Sequence, residues 1–208
     1  MQIGKYKNFE YVIRYPDNFD TEAKYPVVMC LHGAGGREMP IENVKTFSHF
    51  TLTKDFGLPM VMIAPLCFAD TWFEIFEQLQ DFVRFVSGLP FVDPDRFCLM
   101  GGSMGGYATW QLGMTMPEYF SALVPICGGG MYWNAARLKN VPVWAFHGSE
   151  DPTVFANESV KMVNAVNKRG GNAKLSMLDG VGHDSWTAAY GSREVFEWAL
   201  SKTRYKGD

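Results

Sequence analysis

Short apolar runs recur along this chain, and between most of them lie stretches whose apolar residues return every three or four positions. The runs are Phe9–Tyr15, Val27–Leu31, Met60–Pro65, Phe97–Met100, Ala122–Cys127, Val141–Phe146 and Lys174–Leu178. Most are continuous rather than alternating in polarity, as strands covered on both faces must be. Phe73–Val86 carries Phe73, Phe76, Leu79, Phe82, Val83 and Val86 at helical spacing, and Gly88 and Pro90 stop it. Further helices are expected from Met104 to before Pro117, from Glu158 to Lys168 ahead of Gly170-Gly171, and from Arg193 to Lys202. Strands alternating with helices predict an α/β fold with a mostly parallel central sheet and helices on both faces. In such sheets ligands bind beyond the carboxyl ends of the strands. The residues that follow each strand are therefore the ones to search for chemistry.

The 208 residues fit one domain, expected to span residues 1–208. Net charge is −3 and no basic run occurs, so neither a nucleic-acid nor an anionic-membrane partner is expected. The apolar stretch Met60–Ala69 is broken by Pro65 and is about half of the ~20 residues that a membrane span needs. The first residues, MQIGKYKNFEYVIRY, contain no apolar core of a secretory signal, so a cytoplasmic location is expected. Cys30, Cys67, Cys98 and Cys127 have no metal-ligand spacing, and three of them sit inside apolar runs. Reduced core thiols are expected, with no metal and no cofactor. Nothing in the sequence excludes association with a second copy of the chain.

One turn stands apart. After the run Phe97–Met100, Gly101-Gly102-Ser103-Met104-Gly105 fits G-x-S-x-G at a passage from strand to helix. A turn this tight needs glycines two positions before and after the serine, where strand and helix approach each other. Ser103 would then project from the strand end with a helix N-terminus beside it.

A serine hydroxyl needs a base to remove its proton. Of the four histidines, only His147 and His183 follow Ser103. His147 ends a strand in VWAFHGSED and is expected to support the turn behind it. His183, in the Gly-flanked loop DGVGHDSW, is the expected base. The acid that orients it should follow the strand Val141–Phe146. Asp151, just before Pro152, is the preferred candidate and Glu150 its rival. Backbone amides must meet the developing oxyanion. Met104, after the nucleophile, offers one, and Ala34 in Leu31-His32-Gly33-Ala34-Gly35-Gly36 offers the other, with His32 bracing that loop.

Five segments, LHGAGG, VDPDRFCLMGGSMGGYATW, PEYFSALVPICGGG, VPVWAFHGSEDPTV and GVGHDSW, span residues 31–186. In kind and order the chain resembles compact α/β-hydrolases of the carboxylesterase, dienelactone hydrolase and feruloyl-esterase-like group. It is especially similar to the family called predicted peptidases, akin to polyhydroxybutyrate depolymerase-like esterases. The resemblance implies a single-domain α/β-hydrolase fold with Ser103, Asp151 and His183 as catalytic triad and Ala34 and Met104 as oxyanion donors. One departure is Phe155 after Val154, where many relatives carry proline; it should alter the rim only. The N-terminal part of the sheet looks short.

The connection from Cys127 to Asp151 must hold GGGMYWNAARLKN and a strand, which leaves no room for a lid domain. The site should thus be open, bordered by Trp72, Phe73, Tyr132, Trp133, Phe155 and Trp186. Trp72, Trp133 and Trp186 are the expected substrate contacts, and Phe73 is expected to pack on its helix. A small-molecule carboxylic ester with a small or aromatic acyl group is the expected substrate. A peptidase or amidase, a thioesterase, and a non-catalytic binding protein on the same scaffold are the alternatives.

Overall fold

The apolar runs become strands of one eight-stranded sheet in the order β1-β2-β4-β3-β5-β6-β7-β8. These are β1 (Gln2–Tyr6), β2 (Phe9–Arg14), β3 (Tyr25–Leu31), β4 (Val61–Pro65), β5 (Val92–Gly102), β6 (Ala122–Ile126), β7 (Val143–Gly148) and β8 (Ala173–Leu178). The structure, a computed structural model, describes residues 1–207. β1 and β2 form an antiparallel hairpin, β2 pairs antiparallel with β4, and the remaining pairs are parallel. β3, β4 and β6 are buried almost throughout, as their continuous apolar runs require. β1 is a strand that the apolar runs did not announce. Its sequence QIGKY lies at the sheet edge, half-exposed, with one partner only. The N-terminal part of the sheet is longer than expected by this strand.

The helices are α1 (Ile41–Val44), α2 (Ser48–Thr51), α3 (Phe76–Ser87), α4 (Met104–Thr115), α5 (Asn157–Lys168), α6 (Trp186–Gly191) and α7 (Arg193–Leu200). They cover both faces of the sheet, and alternate strand residues supply two cores. Val27, Met29, Leu31 and Leu99 pack with Leu79, Phe82, Trp110 and Met162. Val28, Cys30, Cys98 and Met100 pack on the other face with Phe50, Tyr190, Val195 and Phe196. α3 starts three residues later than its pattern suggested. Phe73 lies outside the helix, 47% exposed, so its place on the buried stripe is corrected. The four cysteines are free and buried. Among the described residues no helix is long and apolar enough to cross a membrane.

Candidate active site

β5 delivers Ser103 to the centre of the carboxyl edge of the sheet. Its backbone stands at φ 56°, ψ −118°, and α4 begins at the next residue. A left-handed φ is costly for a residue with a Cβ, on the order of 1–3 kcal/mol, and must be enforced by its surroundings. Here the Ser103 amide donates to the Ile126 carbonyl at 2.9 Å, and the Ser103 carbonyl accepts from the Tyr107 amide at 3.0 Å. Two positions before and two after Ser103, only glycine fits. A Cβ at Gly105 would strike the Leu31 carbonyl, and one at Gly101 would strike the carbonyl of Gly105.

The loop after β8 brings His183 to this serine, with Nε2 2.9 Å from Ser103 Oγ. The loop after β7 brings Asp151, whose Oδ2 lies 2.7 Å from His183 Nδ1. Its Oδ1 accepts the amides of Thr153 and Val154 at 2.9 and 3.0 Å. Burial pushes the Asp151 carboxyl up, but the hydrogen bonds from His183, Val154 and Thr153 outweigh it and hold the group below its ordinary value. Glu150 points to solvent, while its amide donates to Val181 O at 3.0 Å and ties the two loops together. Of the two carboxylates weighed for this position, Asp151 is the one in contact with His183.

Opposite Ser103, a 3-10 turn at Ala34–Gly36 follows β3. Among the described residues neither the Ala34 nor the Met104 amide donates to a backbone carbonyl. His32 holds the loop from below. Its Nε2 accepts the Cys67 amide at 2.9 Å and its Nδ1 donates to Gly33 O at 2.7 Å. Burial lowers its pKa and keeps the ring neutral, as one donor and one acceptor nitrogen require. Trp72 completes this brace. It is fully buried and its Nε1 donates to the His32 carbonyl at 3.0 Å. The expectation that Trp72 borders the cleft is thus corrected: an indole N–H had a better use under the loop.

A cavity of about 530 Å³ opens beside Ser103 and His183. Thr46, Phe47, Ser48, His49, Trp186 and Tyr190 contribute to its wall. Trp186 therefore lines the site. Trp133, 65% exposed, is not part of this wall, nor are Phe73, Tyr132 and Phe155. The segment 46–49 was missed because α1 and α2 are four residues each, too short for a periodic signal. The available hint was the aromatic pair Phe47 and Phe50, in the connection that follows the Gly33–Gly36 loop. Among the described residues no Asp, Glu, Lys or Arg side chain lines the cavity. His49 is buried and its pKa falls to about 3, through burial first and then through His32 and Arg14, so it is neutral. Cys127, at φ 39°, sets its Sγ within 4.8 Å of ligand atoms of Asp151 and His183. Burial pushes this thiol up to about 12, so it stands beside the pair protonated.

A serine on a strained strand-to-helix turn, joined to loops after the last two strands of a largely parallel sheet, is the arrangement of the α/β-hydrolase fold. The family model described as "Dienelactone hydrolase family" matches residues 67–194, and the chain belongs to that family of hydrolases. Among solved structures it is similar to a thermostable esterase, 27% identical with a TM-score of 0.83, over 98% of this chain and 63% of that one. Est1E from Butyrivibrio proteoclasticus shares the fold at 16% identity, TM-score 0.73, over 97% and 99% of the two chains. A curated relative is a probable dipeptidyl-peptidase 5 of Aspergillus terreus, 26% identical over 155 residues, 68% of this chain and 21% of that protein. The chain spans about a fifth of the length of the curated relatives it matches.

Proposed function

We propose that this hydrolase cleaves carboxylic esters through an acyl-enzyme on Ser103. Ser103 Oγ attacks the acyl carbon as His183 Nε2 takes its proton. The carbonyl oxygen becomes an oxyanion beside the Ala34 and Met104 amides, and the imidazolium is stabilised by Asp151. His183 returns the proton to the departing alcohol, the C–O bond breaks, and the acyl group remains on Ser103. Water, deprotonated by the same imidazole, then releases the acid. The observation that carries this reading is the unbroken line from Ser103 Oγ to His183 to Asp151, at 2.9 and 2.7 Å.

The cavity favours an uncharged acyl group of small or aromatic size. Its wall offers aromatic faces at Phe47, Trp186 and Tyr190 and, among the described residues, no Lys or Arg to pair with a carboxylate. No step needs a metal, so activity is expected to be unchanged by a chelator. The test is a panel of p-nitrophenyl acetate, butyrate and benzoate set against a dipeptide p-nitroanilide. Turnover of the esters with at most a trace on the anilide is expected. Faster cleavage of the anilide would replace this reading by the peptidase one.

A further inference from the structure

Gly101, Gly102, Gly105 and Gly106 surround Ser103, and sterics fix three of the four. A Cβ at Gly101, Gly105 or Gly106 would run into backbone. Gly102 is different. It is not among the glycines with positive φ, so no left-handed backbone calls for glycine there. A Cβ at this position would meet Cε3 and Cβ of Trp186 at 3.6 and 3.7 Å, which is ordinary contact. Apart from its chain neighbours, no other atom lies within 4 Å of that point. Glycine inside a strand is costly, because it loses more freedom on folding than alanine and packs no side chain. Neither the backbone of β5 nor the packing around it asks for one at residue 102.

The cavity takes the place of the missing side chain. Side chains alternate across a strand. Met100, two residues earlier, packs into the core that contains Phe50 and Tyr190, so position 102 faces the same side of the sheet. On that side Trp186 and Tyr190 line the cavity, and Gly102 and Ser103 line it with them. Gly102 is buried, so the space over its Cα belongs to the cavity beside the nucleophile and not to bulk solvent. A glycine within a strand often marks the close approach of a ligand. We infer that Gly102 is a specificity-determining residue. Its bare Cα leaves the slot against Trp186 that admits acyl groups broad at the carbonyl, such as a benzoyl or an α-branched acyl group. The inference deepens the esterase reading and rests on it. When the acyl carbon sits at Ser103 Oγ, its first substituents reach into the space that the preceding residue leaves. A side chain at 102 would compete with them for that space, and an acetyl group would need the least of it.

The experiment measures kcat/KM of the full chain, Gly102→Ala and Gly102→Val on p-nitrophenyl acetate, butyrate, benzoate and pivalate, together with thermal melting. One methyl group in a fitted apolar pocket changes selectivity by about 10- to 200-fold, so the benzoate-to-acetate and pivalate-to-acetate ratios should fall about 10-fold in Gly102→Ala and about 100-fold in Gly102→Val. The butyrate-to-acetate ratio, for a linear acyl group, should change least. Gly102→Ala should melt at or above the parent, since its methyl fits against Trp186 and alanine loses less freedom on folding. Should Gly102→Val fail to fold, Gly102→Ala decides alone. Equal losses on all four esters, or ratios that stay at the parent's values, would overturn the proposal. So would a parent that cleaves acetate but neither benzoate nor pivalate, a result that leaves the esterase reading standing. The premise is tested separately by Ser103→Ala: full activity in that variant would remove the reading on which the slot rests.

Discussion

At the residue scale the line from Ser103 to Asp151 makes the sharpest demands. Ser103→Ala and His183→Ala should each lower kcat by roughly 10⁴–10⁶-fold, because such residues act as a unit. Asp151→Asn should be nearly as severe, while Glu150→Gln, altering an exposed side chain, should stay close to the parent; steady-state kinetics on one aryl ester checks all four. These positions were legible because each depends on local covalent facts, a glycine pattern around Ser103 and short loops after strand ends. The tryptophans were not. Trp72, Trp133 and Trp186 all follow strand ends, and sequence cannot tell an indole that donates to His32 O from one that lines a cavity. Of the three, Trp186 is the one that lines the cavity, so Trp186→Ala should raise KM for aryl esters, and Trp133→Ala, at an exposed position outside the wall, should leave KM unchanged.

Among the elements, long strands and helices were readable and short or edge ones were not. α3, α4 and α5 each run twelve residues, long enough for a repeat to emerge. β1 has too little apolar surface, and α1, α2 and α6 too few turns, yet α2 and α6 wall the cavity. α2 also contributes a pH dependence. His49 is held neutral in the fold with a pKa of about 3, whereas an unfolded histidine titrates near 6.5. Below ~6.5 the unfolded state binds the extra proton, so folding stability should fall as pH drops, by up to about 1.4 kcal/mol per unit until the folded value is reached. His49→Phe, which keeps the ring contacts with Phe50 and Tyr190, should flatten this slope in urea unfolding measured from pH 7 to 4. An unchanged slope would show that His49 is already protonated or that other groups dominate.

For the whole molecule, the parallel sheet and its helix layers follow from continuous apolar runs, since such strands have no face to give to water. The location of the cavity does not follow from them. It lies under the connection between β3 and β4, which carries α1 and α2, whereas sequence directed attention to the β6–β7 connection. That latter connection contains a 3-10 segment at Tyr132–Leu138 and no larger insertion. Hydrolysis should therefore rise smoothly with substrate through its critical micelle concentration; a sharp jump there would indicate a lid.

The central claim is that Ser103 carries the acyl group, and active-site labelling reaches it most directly. The protein would be treated with an alkyl fluorophosphonate, which phosphonylates an activated serine, and digested for peptide mass spectrometry. One adduct is predicted, on Ser103, formed in step with loss of esterase activity and absent from Ser103→Ala and slowed strongly in His183→Ala. Complete inactivation with the adduct on another residue, or an esterase that survives Ser103→Ala, would contradict it.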